Sequence, residues 1–215
     1  MLTRAVTRGA KRPIVVSDMP FGSFQVSDAA AVENAVRFVK EAGADAVKLE
    51  GAGPTLSRVQ AIVGAGVPVM GHVGLTPQSA TMLGGFKTQG RTADKARRLV
   101  EEARALEEAG CFSIVLEAVP SPVAERITAT VGVPTLGIGA GPSCDGQVLV
   151  YHDLLGLSEG HLPRFVKRYA NLSREIRDAL DAYAHDVRAG TFPSEEYAYE
   201  MDATELAVFE ASTDG

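Results

Sequence analysis

Tryptophan is absent from this sequence, cysteine occurs only twice, and long apolar runs are missing. Cys111 and Cys144 are too few for a disulfide framework, so we expect a reducing compartment and a cytoplasmic protein. A membrane helix needs about 18 or more consecutive apolar residues, and the sequence has no such run. The first 13 residues contain basic side chains but lack the apolar segment of a signal peptide. These absences exclude a disulfide-rich secreted domain and predict no membrane partner.

Lysine and arginine are absent from residues 191–215, which hold seven of the chain's 27 acidic residues. The other 20 acidic residues stand against 21 Lys and Arg, so the rest of the chain is nearly neutral although the net charge is −6. Without a basic stripe, the sequence predicts no nucleic-acid partner. We expect a folded domain over residues 1–190 and an acidic tail over 191–215. The tail is either a solvated extension or a helix that packs on another subunit through Leu206, Val208 and Phe209.

Short apolar runs alternate with longer amphipathic segments along most of the chain. The apolar runs are hydrophobic on both faces, which is typical of buried parallel strands. They predict six strands, over residues 13–18, 45–50, 67–72, 112–117, 133–138 and 147–150. The amphipathic segments predict helices over residues 29–42 (capped by Asp28), 55–64, 93–109, 122–131 and 165–189. Strand–helix–strand alternation predicts right-handed crossovers and a parallel α/β sheet.

The C-terminal ends of the predicted strands favour a barrel over an open doubly wound sheet. Four of the apolar runs end in Asp18, Glu50, His72 and Glu117. In a (β/α)8 TIM-type barrel, catalytic groups lie at those ends of the strands. We therefore predict an α/β fold with a TIM-type barrel. Because six strands are found where such a barrel has eight, we expect the barrel to be incomplete in this chain.

Three carboxylates, of Asp18, Glu50 and Glu117, are expected to meet at the mouth of that barrel. Carboxylate oxygens without a neighbouring cysteine or a paired histidine suit Mg²⁺ rather than zinc. The alternative is that each carboxylate caps the following helix or pairs with a base. Lys48 lies two residues before Glu50 and therefore points to the same side of the strand. It either pairs with a carboxylate or holds an anionic substrate.

A histidine and a glycine-rich loop are weaker indications of a site. His72 closes an apolar run beside acidic residues, where it contacts a substrate or serves as a hydrogen-bonded structural histidine. Residues 137–141 follow a strand and could bind a phosphate, but their spacing and the following Pro142 favour a tight turn. No P-loop, G-x-S-x-G or Cys-x-x-Cys motif occurs. The strand-end residues are therefore the main candidates.

Several motifs together resemble the ketopantoate hydroxymethyltransferase family. They are residues 17–23 (SDMPFGS), 46–51 (AVKLEG), 71–78 (GHVGLTPQ), 84–90 (GGFKTQG), 116–120 (LEAVP), 137–141 (GIGAG) and 144–153 (CDGQVLVYHD). The resemblance covers about residues 1–200. It implies a (β/α)8 barrel and assembly into a large homo-oligomer.

The resemblance also implies a reaction and the roles of the candidate residues. The reaction is Mg²⁺-dependent transfer of a hydroxymethyl group from 5,10-methylenetetrahydrofolate to 3-methyl-2-oxobutanoate, giving ketopantoate in pantothenate biosynthesis. Asp18 is then a metal ligand that also touches the keto acid, and Glu50 belongs to the metal site through a water. Lys48 and His72 contact the substrate, and Glu117 is the catalytic proton acceptor.

The chain departs from the family pattern on its N-terminal side. The family's Gly-Asp-Ser motif, which supplies another metal ligand, occurs nowhere in the sequence, and residues 1–9 predict the last turns of a helix without its strand. We expect a start assigned too late, a fragment that no longer catalyses, or a second chain that supplies the strands. Two functional alternatives stay open: an impaired fragment or scaffold subunit, and a folate-independent Mg²⁺ keto-acid lyase or aldolase.

Overall fold

The structure is a computed structural model that describes residues 1–82, 84–160 and 162–213. The described residues divide into two compact units. The first unit comprises Met1–Val150 and Pro163–Val166, and the second contains the rest of the described chain. The division that the sequence predicts at residue 190 stays a prediction. All of the predicted site residues belong to the first unit.

Among its described residues, the first unit has one sheet of six parallel strands. They are β1 (Val16–Asp18), β2 (Ala46–Lys48), β3 (Val69–Gly74), β4 (Ser113–Glu117), β5 (Thr135–Ile138) and β6 (Gly146–Gln147). Each strand pairs with the next one along the chain, so the spatial order follows the sequence order. A doubly wound sheet reverses its order at a switch point, whereas a barrel keeps it. The prediction of an incomplete TIM-type barrel is confirmed, in the form of a curled half-barrel.

Helices flank and connect the strands of the first unit. They are α1 (Leu2–Gly9), α2 (Asp28–Ala42), α3 (Thr55–Gly64), α4 (Ala93–Glu108) and α5 (Ser121–Thr128). The Ser27 hydroxyl accepts a hydrogen bond from the Ala30 N–H and caps α2, and Gly43 ends that helix with a φ of 74°. Asp28, the predicted cap, is instead the first helical residue and pairs with Arg58, because Ser27 has the extended backbone that a cap requires.

The two faces of the sheet contact different surroundings because side chains alternate along a strand. Val47 and Leu116 are fully buried and belong to the main core, which also contains the inner faces of α2 to α5. Met70, Val115 and Ile138 form a smaller apolar cluster on the opposite, concave face. Burial of a leucine or valine contributes about 1.5–3 kcal/mol, so the helix-covered face supplies most of the stability. The concave face, which carries the smaller apolar cluster, is therefore available for a functional site.

All six strands differ in at least one bound from the sequence prediction, and the differences at the ends of β2 and β3 change where site residues lie. β2 ends at Lys48, so Glu50 lies two residues beyond the strand, although the Gly51 N–H still donates to the His72 carbonyl. β3 continues past His72 to Gly74 because Gly74 pairs with Glu117 in β4, so His72 lies inside a strand and not at its end. The last strand, predicted over residues 147–150, is the short β6, which pairs with β5 through two residues.

The described part of the second unit contains three α-helices joined by irregular segments. Its helices are α6 (Tyr151–Leu154), α7 (Leu172–Ala189) and α8 (Ala203–Thr213). The helix predicted over residues 165–189 therefore begins later, at Leu172; Phe165 belongs to the first unit, where it packs on the concave apolar cluster. Leu206, Val208 and Phe209 lie on α8 and are exposed, and their contact with another subunit stays a prediction. None of the described helices has the length and apolar character that crossing a bilayer requires.

Candidate functional site

A cavity of about 660 Å³ lies on the concave side of the half-barrel. All five of the predicted site residues line it: Asp18, Lys48, Glu50, His72 and Glu117. They come from four neighbouring strands and the turn after β2. The structure therefore brings together every residue that the sequence singles out, and their individual roles stay predictions.

Strand register explains why these side chains meet. Lys48 lies beside Met70 in β3, and His72 lies beside Val115 in β4. Lys48, Met70, His72 and Val115 all line the cavity, whereas residues one position away from them face the core. Because the sheet curls toward this face, polar groups from different strands come within hydrogen-bonding distance of one another. Glu117 closes β4 at the same edge.

The lysine pairs with the two carboxylates that precede and follow it. Lys48 Nζ lies 2.8 Å from Asp18 Oδ1 and 4.0 Å from Glu50 Oε1. The lysine side chain is 17% exposed and the Asp18 side chain 53%. Of the two alternatives for Lys48, pairing with a carboxylate is therefore present. It leaves the ammonium open to the cavity, where an anionic ligand can share it.

Glu50 is the most deeply buried carboxylate of the site. Its side chain is 4% exposed, and its Oε2 accepts a hydrogen bond from the Gln78 backbone N–H at 2.9 Å. Burial raises the pKa of Glu50 above its ordinary value, because loss of water disfavours the charged form. The hydrogen bond from Gln78 and the electrostatic effects of the nearby His72 and Lys48 side chains oppose that rise in pKa, but burial is the larger effect.

His72 connects the lysine to the carboxylate on β4. Its Nδ1 lies 3.3 Å from Lys48 Nζ, and its Nε2 lies 3.2 Å from Glu117 Oε2. Because an ammonium group only donates, Nδ1 accepts, and the neutral ring carries its proton on Nε2. Within the described residues, the buried Nε2 has no well-aligned hydrogen-bond partner although Glu117 is near. The geometry therefore leaves a buried donor between Glu117 and the cavity.

The residue after Glu117 has an unusual backbone. Ala118 has a φ of 48°, a left-handed conformation that residues other than glycine rarely adopt. Such strain often occurs at functional sites. The Glu117 side chain, just before Ala118, is 16% exposed and lines the cavity.

The donor atoms suit one kind of metal site and not another. Within the described residues, no group of three or more His, Cys, Asp and Glu side chains is arranged to hold a metal ion. Zinc and calcium sites need such a group, whereas Mg²⁺ is often held by one or two carboxylates together with water and substrate oxygens. Asp18 is half exposed at the cavity mouth and Glu50 lies nearby, so the residues present fit Mg²⁺ of that second kind.

Of the described polar residues that line the cavity, Gln78 is the one to which the sequence assigns no role. Gln78 lines the cavity and contacts Glu50, and its side-chain amide donates to the Met19 carbonyl at 2.8 Å. It belongs to the motif over residues 71–78, which is the only sequence signal that draws attention to it. Its partners lie 28 and 59 residues away along the chain, so no local pattern reveals them.

Two sequence comparisons point to the same family. The family model of ketopantoate hydroxymethyltransferase matches residues 1–195. A 3-methyl-2-oxobutanoate hydroxymethyltransferase from Nitratidesulfovibrio vulgaris (strain DP4) is 54% identical over 211 residues, which cover 98% of this chain and 69% of that protein. An enzyme of the same name from Syntrophobacter fumaroxidans (strain DSM 10017 / MPOB) is 55% identical over 211 residues, which cover 97% of this chain and 75% of that protein.

A solved structure supports the fold. A crystal structure of phosphonopyruvate hydrolase superposes with a TM-score of 0.52 and 14% sequence identity, over 99% of this chain and 73% of that one. At so low an identity the likeness indicates a shared fold and nothing about the reaction. The fold and the family are therefore supported by separate comparisons.

Proposed function

This chain belongs to the ketopantoate hydroxymethyltransferase family, and on that premise we propose the reaction that it catalyses. It transfers a hydroxymethyl group from 5,10-methylenetetrahydrofolate to 3-methyl-2-oxobutanoate, with Mg²⁺, and gives ketopantoate (2-dehydropantoate) for pantothenate biosynthesis. The observation that carries the proposal is one cavity in which Glu117, His72, Lys48, Glu50 and Asp18 lie together. The family makes the chain a transferase, and the cavity brings together a candidate base, a cation and two candidate metal ligands.

The residues of the cavity divide the work of the first chemical step. The Lys48 ammonium binds the negative charge of the keto acid, with Asp18 beside it. Glu117 Oε2 takes the proton from C3, and His72 Nε2 lies 3.2 Å from that oxygen. The electron pair left at C3 then attacks the methylene carbon of the folate. The new C–C bond forms as the two C–N bonds to that carbon break, and water supplies the hydroxyl oxygen. Tetrahydrofolate leaves with the proton taken from C3 and one proton from that water on its two nitrogens. The apolar side chains of Met70, Val115 and Ile138 exclude water from the same cavity.

A C3 proton beside a ketone is only weakly acidic, so its removal needs further help. Mg²⁺, when bound, supplies Lewis-acid stabilisation of the negative charge on the keto-acid oxygens. Asp18 would hold it directly, and Glu50 would hold it through a water. Glu50 is suited to the indirect role because its side chain is buried and already accepts from Gln78, whereas Asp18 is half exposed.

Deuterium exchange at C3 of 3-methyl-2-oxobutanoate, followed by proton NMR in D₂O, tests the proposal without folate. We expect exchange with Mg²⁺ and little without it. Glu117→Gln should reduce the exchange rate by about 10²–10⁴-fold, because an amide cannot accept the proton, while keto-acid binding is retained. The control is Glu125→Gln, which changes an exposed glutamate on α5 and should exchange like the parent chain.

The same assay separates the proposal from its rivals. Exchange by Glu117→Gln at the parent rate would remove Glu117 from its role as base. Exchange without product formation when methylenetetrahydrofolate is added would favour a folate-independent lyase or aldolase. A folded chain that exchanges nothing would be a non-catalytic subunit, and the proposed reaction would be wrong for it.

We further propose that the chain acts as a homo-oligomer in the cytoplasm. The exposed apolar residues of the second unit support the oligomer, because several lie on one face of α7. Two cysteines, of which Cys111 is buried and unpaired and Cys144 is unpaired, suit a reducing compartment. Fractionation of the producing cells would test the location.

A further inference from the structure

We propose that residues 74–78, here called the bracing segment, set the positions of all three site carboxylates, and that Gln78 is the positioning residue for Asp18 and Glu50. The inference rests on the proposed function, because it assigns a role within that reaction. Each of the three carboxylate-bearing chain segments is tied to the bracing segment by a separate hydrogen bond.

The first of these bonds fixes the end of β4. The Leu75 N–H donates to the Glu117 carbonyl at 2.8 Å. Gly74, just before it, has a φ of 96°, and a Cβ at that position would lie 2.2 Å from the same carbonyl oxygen. The close approach is therefore possible only for glycine. Leu75 and Thr76 are both buried, which keeps the segment against β4.

The second bond holds the buried carboxylate. Thr76 has an extended backbone, and Pro77 opens a short 3₁₀ turn over Pro77–Ser79. The first N–H groups of such a turn have no partner within it. The Gln78 N–H uses this freedom to donate to Glu50 Oε2 at 2.9 Å. The turn thus supplies a donor to a carboxylate that burial would otherwise leave without water.

The third bond reaches the segment that carries Asp18. The Gln78 side-chain amide donates to the carbonyl of Met19, the residue after Asp18, at 2.8 Å. Met19 is fully buried, and its own N–H donates to the Lys48 carbonyl. Gln25, in the loop before α2, in turn donates to the Gln78 side-chain oxygen at 3.4 Å. The side chain of Gln78 therefore connects the loop over residues 19–27 to the rest of the site.

A substitution of Gln78 removes only one of the three hydrogen bonds. The bonds to Glu117 and Glu50 come from backbone N–H groups and survive any change of the Gln78 side chain. The bond to Met19 depends on the amide alone. Loss of the amide should therefore loosen Asp18, which binds substrate and metal, while Glu117 keeps its place. The expected signature is a rise in KM at unchanged kcat.

The test measures C3 deuterium exchange of 3-methyl-2-oxobutanoate with the full chain and its variants. Gln78→Met keeps the length of the side chain and removes the amide donor. Gln78→Glu keeps the shape of the side chain, and its ionised carboxylate likewise has no donor. We expect both to raise KM by about 10–100-fold, the usual effect of losing a group that supports a ligand. Gln60→Met, on the exposed side of α3, is the matched control and should leave KM unchanged.

A second readout does not depend on turnover. Amide hydrogen exchange followed by mass spectrometry should show faster exchange in peptides over residues 19–26 of Gln78→Met, with α4 peptides unchanged. A fall in kcat as large as the rise in KM would overturn the assignment of Gln78. Unchanged amide-exchange protection of residues 19–26 would overturn it as well. A parent chain that exchanges no C3 deuterium would overturn the proposed function itself, and with it this role; the amide measurement tells the two failures apart.

Discussion

At the scale of a single residue, the buried carboxylate of Glu50 lowers the free energy of unfolding at neutral pH. Burial raises its pKa from an ordinary value of 4.5, so the folded chain binds the Glu50 proton more tightly than the unfolded chain does. The unfolded state therefore carries fewer protons at this site between the two pKa values. By linkage, the free energy of unfolding falls as the pH rises from 4.5 through the raised pKa. Glu50 thus opposes folding at neutral pH and is neutral to it in acid.

Glu50→Gln is accordingly expected to raise the melting temperature at pH 7 and to change it less near pH 4.5. The amide oxygen can still accept from the Gln78 N–H, and no buried charge remains. The measurement is thermal unfolding of parent and variant across this pH range. Glu33→Gln, on the exposed side of α2, is the control and should show no such pH-dependent gain. A variant less stable than the parent at pH 7 would contradict the prediction.

The sequence predicts the position of a residue well when its partners are near in the sequence, and poorly when they are distant. Asp18 and Glu117 close apolar runs in the sequence and close strands in the structure. His72 was placed at a strand end and lies inside β3, because pairing with β4 extends the strand by two residues. Gln78 carried no assigned role, since its hydrogen bonds join residues that are distant along the chain.

At the scale of an element, the junction of β3 with the bracing segment requires glycine at position 74. Gly74→Ala places a Cβ against the Glu117 carbonyl and also imposes an unfavourable φ of 96°. We expect a loss of more than about 3 kcal/mol in the free energy of unfolding, or failure to fold, because the neighbour is backbone and cannot give way. Chemical denaturation measures the loss.

Gly85→Ala is the matched control for that prediction. Gly85 has a similar φ of 102°, but a Cβ there would have no described atom within 4 Å. Its substitution should therefore show the cost of backbone strain alone, about 1–2 kcal/mol. Equal losses for the two variants would mean that the contact with Glu117 adds nothing, and the bracing segment would lose one of its three supports.

The sequence predicts most helices and strands at the right place in the chain, although several of their bounds differ. The helix predicted over residues 55–64 is α3, with the same bounds. The stripe of Leu99, Ala103 and Leu106 on α4 is buried as its spacing requires. The helix predicted from residue 165 begins at Leu172. Phe165 contributes to an apolar cluster of the first unit, a tertiary preference that helix propensity does not contain.

At the scale of the whole molecule, the proposed homo-oligomer has a candidate contact surface. Ile176, Leu180, Tyr183 and Val187 are spaced three or four residues apart on α7 and are 47–62% exposed. An apolar stripe of this kind is typical of an interface between chains. Leu180→Glu should shift the chain toward smaller species in sedimentation velocity. Ala182→Glu, which adds the same charge away from the stripe, should leave the distribution unchanged.

A monomeric parent chain would contradict this prediction, and so would two variants that behave alike. Leu180 and Ala182 lie outside the groups proposed for the half-reaction at C3, which all belong to the first unit. Sedimentation and C3 exchange can therefore be measured on the same variants.

The sequence by itself determined the order of strands and helices, the parallel α/β class and the residues from which the site is built. Those properties follow from local periodicity and from the need to bury apolar faces. Only the tertiary structure decided which of these residues touch. The contacts of Lys48 with His72 and of His72 with Glu117 depend on the register and curl of neighbouring strands. The bracing role of residues 74–78 depends on them as well, because hydrogen bonds between distant segments exist only once the sheet has curled around the cavity.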